Sequence, residues 1–396
     1  MNFTKLLGHI RNTTQAIFQP GTATQPAGLY TYPITLDGGH RRIHLRIAPD
    51  GAGVLFVDVT DVIHLNQTAA QMAKMALDGF SQDKARQTMS NTYRGINPTQ
   101  LATEMTSIYK LVDQLRNDTG SCPTCSIASL VSFKPVFSTA VSAPFKADVA
   151  LTYACNNACP HCYNEVGRLQ MPSLSFELWQ RVLDKLADIG VPHIILTGGE
   201  PTLHPDLNQI IHYADQLGLI VGMNTNGRIL AQENIARTLA DAGLNHVQIT
   251  LESWDRDVHD KMVNAPGAFQ QTVLGIQNAV ASGLHTITNT TITRQNQDQV
   301  VNTIDFVHNL GLRTFAMNGT IYAGGGRNDP AAIPAEEMTV LLDAVQERAT
   351  VLDMRFMWYT VTDYCRFSPV ALGLAPKRCN AAEYSICIEP NGDVLP

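Results

Sequence analysis

Three cysteines, Cys155, Cys159 and Cys162, stand in the run Cys155-Asn156-Asn157-Ala158-Cys159-Pro160-His161-Cys162-Tyr163-Asn164. Thiolate is a soft ligand that suits iron–sulfur centres. Three thiolates this close in sequence can close on one face of a cubane cluster, one ligand short of the usual set. The fourth iron is then left without a protein ligand, and an open coordination site on a metal is where a substrate or cofactor binds. Zinc sites more often pair close cysteines with a distant second pair. Here the three stand as one group.

The elements that must position this loop alternate between strand and helix from Ala147 onward. Strand Asp148–Tyr153 leads into the cysteines, and a helix follows with Phe176, Trp179, Leu183 and Leu186 on one face and Ser175 as its cap. Strands are expected at His193–Thr197, Leu219–Asn224, His246–Glu252, Thr286–Thr293 and Arg313–Asn318. Helices are expected after Asp206, from about Gln232, near Phe269–Ala281 and around Val300–Leu310. This alternation implies right-handed βαβ units and a parallel sheet. In such sheets active sites lie at the C-terminal strand ends, and the polar motifs all fall there. Gly198-Gly199-Glu200-Pro201 follows strand two, Asn224 ends strand three, and Thr250 and Glu252 end strand four. Asn289, Thr291 and Arg294 belong to strand five and its loop, and Asn318 and Gly324-Gly325-Gly326 to strand six. The paired glycines permit unusual backbone angles and close approach of a ligand. The later three either let the backbone approach a ligand or form a flexible loop. Arg294 either grips a carboxylate with two hydrogen bonds or is a surface arginine.

The CxxxCxxC spacing, with Thr197-Gly198-Gly199-Glu200-Pro201 one strand–helix unit downstream, resembles the radical S-adenosylmethionine (SAM) enzymes over roughly Lys146 to Asn328. The resemblance implies an α/β fold built on an open partial (β/α)6 TIM barrel. It also implies a [4Fe–4S] cluster on Cys155, Cys159 and Cys162 whose open iron binds SAM. Reduction then releases a 5′-deoxyadenosyl radical. By the same resemblance Gly198, Gly199, Glu200, Pro201, Asn224, Thr250, Glu252, Asn289 and Arg294 surround SAM, and His161 takes the place of an aromatic residue beside adenine. Family members often carry Ser-x-Asp where this chain has Thr250-Leu251-Glu252; Glu252 is one methylene longer, which leaves its partner open.

Residues 1–28 read as irregular. Ile43, Leu45 and Ile47 alternate with His44 and Arg46 as a half-buried strand, Pro49-Asp50-Gly51 is a turn, and Val54–Val59 returns as a hairpin. Three helices follow. The first is capped by Asn66 and closed by Gly79, the second runs from about Ser81 to Tyr93, and the third carries Leu101, Met105, Ile108, Val112 and Leu115 on one face. Residues 29–117, and the stretch from Val57 to Ala70 in particular, resemble the small α+β peptide-binding domains of the pyrroloquinoline-quinone D (PqqD-like) type. That implies capture of a leader peptide as an added strand. A winged-helix-like domain that merely packs on the barrel is the alternative. Residues 118–145 read as a linker whose Cys122-Pro123-Thr124-Cys125 suits metal binding, redox cycling or an ordinary turn.

The barrel is expected over residues 146–330 and a C-terminal part over 331–396, opening with a helix at Glu336–Leu352. There, Cys379-Asn380-Ala381-Ala382-Glu383 and the run Ile388 to Pro396 resemble the start of a SPASM or twitch extension. This implies an auxiliary iron–sulfur cluster with Cys365 and Cys379 as its first ligands, while Cys387 lies in an apolar, strand-like run. The sequence stops at a turn and the start of a strand, so the extension reads as truncated.

With 396 residues, 44% of them hydrophobic, the chain can form two or three cored domains. A net charge of −7 gives no footprint for nucleic acid or a membrane surface. No signal segment or spanning helix is evident, so a soluble, cytoplasmic protein is expected. Its eight cysteines then suggest metal binding rather than disulfides. The function that follows is a radical SAM enzyme modifying a ribosomally made peptide or protein, reduced by a donor such as flavodoxin or ferredoxin. The alternatives are a radical SAM step in small-molecule cofactor or haem-type biosynthesis, and a non-catalytic iron–sulfur or peptide-binding protein.

Overall fold

The computed structural model describes residues 25–36, 39–56, 62–95, 97–117, 141–374 and 376–396. Expectations for residues 1–24, for Val57–Asp61 and for Cys122 and Cys125 lie outside these. Two compact units divide the chain, one holding the residues up to Ser142 together with Asp188–Gly190 and the other holding Ala143–Ala187 and Val191–Pro396.

In the first unit the expected hairpin is part of a larger sheet. Strands β1 (Gly28–Leu36), β2 (Gly39–Ile47), β3 (Gly53–Phe56) and β4 (Val62–Leu65) pair antiparallel in that order. Sequence reasoning passes over β1 because Pro33 interrupts it, yet a proline is tolerated on an edge strand, which is where β1 lies. The half-buried reading of β2 is corrected. His44 and Arg46 are buried along with Ile43, Leu45 and Ile47, and the Arg46 guanidinium lies over the Phe56 ring. Helices α1 (Gln67–Leu77), α2 (Gln82–Thr92) and α3 (Pro98–Asn117) complete this unit. Asn66 caps α1 by accepting from the Ala69 amide at 2.8 Å, and Gly79 ends it at φ +82°. Leu55, Met72, Met105 and Ile108 belong to the core of this unit.

The second unit follows the expected strand–helix alternation. Strand β5 (Lys146–Thr152) precedes α4 (Phe176–Asp188), β6 (His193–Gly198), α5 (Leu207–Gln216), β7 (Ile220–Thr225) and α6 (Ile235–Asp241). Then come β8 (His246–Thr250), α7 (Arg256–Val263), α8 (Ala268–Ala281), β9 (His285–Ile292), α9 (Val300–Asn309), β10 (Thr314–Gly319) and α10 (Ala335–Val351). The six barrel strands stand as expected. The sheet runs further at both edges, with β11 (Arg355–Trp358) parallel to β10, β12 (Ser385–Ile388) parallel to β5, and β13 (Val394–Leu395) antiparallel to β12. The result is an open nine-stranded sheet in the order β11-β10-β9-β8-β7-β6-β5-β12-β13. A strand of four residues such as β11 is too short for alternation to reveal. The helix expected from Gln232 begins at Ile235, because Ile229–Ala231 first forms a tight turn and Asn234 adopts φ 63°. Helix α7 was not expected; Asp255 caps it by accepting from the amides of Asp257 and Val258.

Trp179, Leu183 and Leu186 of α4 share one core with Val149 and Leu151 of β5 and Leu196 of β6. This fixes the strand that delivers the cysteine loop. No helix among the described residues is long and apolar enough to cross a membrane. Leu183 is fully buried, so Leu183→Ala should lower unfolding stability by about 2–5 kcal/mol. Urea titration followed by circular dichroism reads this, and a loss under ~1 kcal/mol would contradict the packing described.

Candidate active site

The cysteine loop leaves β5 at a register shift between Ala150 and Thr152. It is then gripped from several sides. The amides of Gly199 and Glu200 donate to the carbonyls of Thr152 and Ala154 at 2.7 and 2.8 Å. A Cβ at Gly198 would stand 2.1 Å from the Thr152 oxygen, and one at Gly199 would stand 2.4 Å from the Ala154 oxygen. The glycine pair therefore serves close approach as expected, but what approaches is the backbone carrying the cysteines. Asn226 donates to Asn156 Oδ1 at 2.6 Å, and Arg228 bonds the Asn156 carbonyl and, at 2.8 Å, Asn157 Oδ1. The Ala158 amide donates to the Val263 carbonyl at 3.1 Å.

The far side of the loop rests on Gly324-Gly325-Gly326. The Gly325 amide donates to the Cys162 carbonyl at 2.7 Å, and a Cβ there would stand 2.3 Å from the Pro160 oxygen. A Cβ on Gly324 would meet the Tyr163 and Asn164 oxygens at 2.5 Å. The backbone that these glycines admit is that of the cysteine segment. Tyr153, at the entrance to the loop, donates to Glu389 Oε1 at 2.7 Å, and Arg168 pairs with the same carboxylate at 3.3 Å.

Glu200 is fully buried. Its carboxylate accepts from the Thr202 amide and hydroxyl, the Thr225 hydroxyl and the Asn226 amide, at 2.7 to 3.1 Å. Burial raises its pKa against the pull of these donors. The Glu200 side chain ties β6 to the end of β7 and thereby sets Asn226 beside the cysteine loop. Pro201 opens a short turn after it and is buried. Arg294 is corrected. Its side chain is 41% exposed and pairs with Glu337 at 2.7 Å, the surface alternative. Asn224 stands in register with Gln248, outside the cavity lining.

A cavity of about 660 Å³ lies beside the cysteine loop. Cys159, His161, Cys162 and Tyr163 form part of its wall. The strand ends supply Gln248 and Thr250 from β8, Glu252 beyond β8, Asn289 and Thr291 from β9, and Asn318 and Thr320 at the end of β10. Positions two apart in a strand face the same way. Three adjacent strands thus each present an amide and then a threonine. Ile321, Tyr322, Tyr359, Thr360 and Val361 complete the wall. Sequence reasoning named Thr250, Glu252, Asn289 and His161 but missed Gln248, Thr320 and the segment after β11. The repeated amide-x-Thr pattern on successive strands is the signal that could have found the first two.

Glu252 has a definite partner. Its Oε1 lies 3.1 Å from His161 Nε2, and its Oε2 accepts from the Thr291 amide at 2.8 Å. Burial disfavours the imidazolium of His161, but the hydrogen bond and charge of Glu252 outweigh it and raise the pKa. Burial also pushes up the thiols of Cys155 and, more strongly, Cys159, where Glu252 and the other two thiols add to it. Iron must displace the proton from such a thiol when it binds.

No three His, Cys, Asp or Glu side chains among the described residues close on a single ion. A cubane asks for something else, since each thiolate binds a different iron. The loop fits that demand, with three thiols on one held turn and two of them facing the cavity. The cavity fits a polar ligand, because Asn289 Oδ1 is buried in its wall without a partner. Cys365 and Cys379 are exposed on loops, and Cys387 is half-buried in β12.

Residues 149–307 match the radical SAM superfamily model. The PqqA peptide cyclase of Methylocella silvestris is 31% identical over 252 residues, covering 62% of this chain and 65% of that protein. The AdoMet-dependent heme synthase of Methanosarcina barkeri is 29% identical over 192 residues, covering 48% of this chain and 55% of that protein. The alignments thus span less than two thirds of either relative. Streptococcus suis SuiB, solved bound to precursor peptide SuiA and bound to S-adenosylmethionine, shares the fold at a TM-score of 0.62 and 16% identity, over 92% of this chain and 82% of its own. The stretch of this chain that matches the radical SAM superfamily model carries the cysteine loop and strands β6 to β9.

Proposed function

We propose that this chain is a radical SAM enzyme that modifies a peptide or protein. The observation that carries the reading is that Cys159 and Cys162 share one cavity with a row of neutral polar strand ends. Cys155, Cys159 and Cys162 would hold a [4Fe–4S] cluster, and SAM would lie in the cavity beside it. When bound and reduced by a donor such as flavodoxin or ferredoxin, the pair supplies a 5′-deoxyadenosyl radical.

The chain's own part is to bind, orient and exclude water. Thr250, Asn289 and Thr291 offer hydrogen bonds to ligand hydroxyls and amines. Glu252 fixes the His161 ring beside the third cysteine. The glycine contacts hold the thiols in place before any iron arrives.

A peptide substrate is supported by the likeness to a PqqA peptide cyclase and by a fold shared with SuiB across 92% of the chain. The first unit, with its own core and a four-stranded antiparallel sheet, would take a leader peptide on a sheet edge. Cys365 and Cys379 would serve an auxiliary cluster. The likeness to a heme synthase supports haem-type chemistry as the second reading.

Anaerobically reconstituted protein given SAM and dithionite should form 5′-deoxyadenosine, and a variant combining Cys155→Ala, Cys159→Ala and Cys162→Ala should form none. Equal product from both would sink the reading. Two changes outside the ligands test the grip on the loop. Arg228→Met and Gly325→Ala should each weaken retention of reconstituted iron about tenfold or more during chelator challenge, with circular dichroism unchanged. Parental retention in both would show that these contacts do not hold the loop.

A further inference from the structure

The amide–threonine row ends at β10 with two buried oxygens that nothing among the described residues satisfies. Asn318 Nδ2 donates to the Gly319 carbonyl at 2.9 Å. That oxygen can only accept, so it sets which way the carboxamide points and leaves Oδ1 as the outward atom. Asn318 Oδ1 and Thr320 Oγ1 are both buried and lack a hydrogen-bond partner among the described residues. The residues are 9% and 5% exposed, and both line the cavity. A buried acceptor without a donor is costly, and a ligand N–H or O–H recovers that cost.

The surroundings restrict what the ligand can be. Among the described residues no lysine or arginine lines the cavity, and the one carboxylate in its wall is Glu252. An acidic group would meet the acceptor oxygen of Asn318 and another carboxylate, with no cationic lysine or arginine to offset its desolvation. Beyond Thr320 the wall becomes apolar and opens to solvent: Ile321 is 48%, Tyr322 63% and Val361 51% exposed. A chain-like substrate can reach this end from outside.

We propose that the β10 side of the cavity is the subsite for the reacting substrate residue, and that it selects a hydrogen-bond-donating, non-acidic peptide residue. Asn318 and Thr320 receive the donor, and Tyr322 and Val361 receive the apolar part. This rests on the radical SAM peptide reading and adds the substrate class to it.

The test uses two probes of nearly one shape, N-acetyl-glutamine methylamide and N-acetyl-glutamate methylamide. Each is titrated by saturation-transfer NMR against the full chain carrying its reconstituted cluster and saturated with SAM. The glutamine probe should bind about tenfold or more tightly than the glutamate probe. Thr320→Val replaces a hydroxyl that has no partner among the described residues, so the fold should tolerate it. It should weaken the glutamine probe about three- to tenfold, and Asn318→Leu at least as much. Equal affinity for the two probes overturns the proposal, as does unchanged glutamine-probe affinity in both variants. Loss of SAM affinity in the variants with an unchanged probe ratio also overturns it, by assigning these acceptors to SAM. Failure of the underlying reading appears separately, as absence of 5′-deoxyadenosine from the same preparation, and the probe ratio is read either way.

Discussion

Everything at this site depends on backbone meeting backbone at distances only glycine allows. The segment that carries the cysteines is pressed between Gly198-Gly199 on one side and Gly324-Gly325 on the other. A Cβ at any of the four would stand within 2.1 to 2.5 Å of a carbonyl oxygen of that segment or of its entrance. Such contacts cannot be relieved by turning a side chain, because both partners are main chain. The loop is therefore placed by the ends of β6 and β10. Arg228 and Asn226, set by the buried Glu200, hold its remaining face. Placement of this kind lets the three thiols present themselves to one cluster, although burial disfavours deprotonation of Cys155 and Cys159.

The second constraint is the absence of free charge in the described cavity wall. Glu252 is already committed to His161 and the Thr291 amide. What remains is amides, hydroxyls and aromatic rings. A zwitterionic, sulfonium-bearing cofactor would thus be bound mainly through the cluster and through directional hydrogen bonds rather than through ion pairs.

Much of this was legible in the sequence, and the misses share a cause. The six barrel strands, the cysteine loop, the Asn66 cap and the α4 face with Trp179, Leu183 and Leu186 follow from local periodicity and spacing. Strands β1 and β11 escaped because one contains Pro33 and the other is four residues long. Glycine runs announce close approach but not to what, and here the approaching group was the chain itself. Glu200 sits within the motif that signals the family, yet its carboxylate is consumed by Thr202, Thr225 and Asn226, partners that only the folded strand order brings together. Arg294 carried the right charge in the right loop but found Glu337, a residue in another helix. Sequence spacing locates a site; which side chains face it is decided by long-range pairing.

The most direct measurement is electron paramagnetic resonance of the dithionite-reduced, reconstituted protein with and without SAM. If the cavity beside Cys159 and Cys162 brings SAM to an iron that has no protein ligand, adding SAM must change the g-values of the reduced cluster. A cluster signal that stays the same at saturating SAM would show that this cavity does not deliver SAM to the cluster.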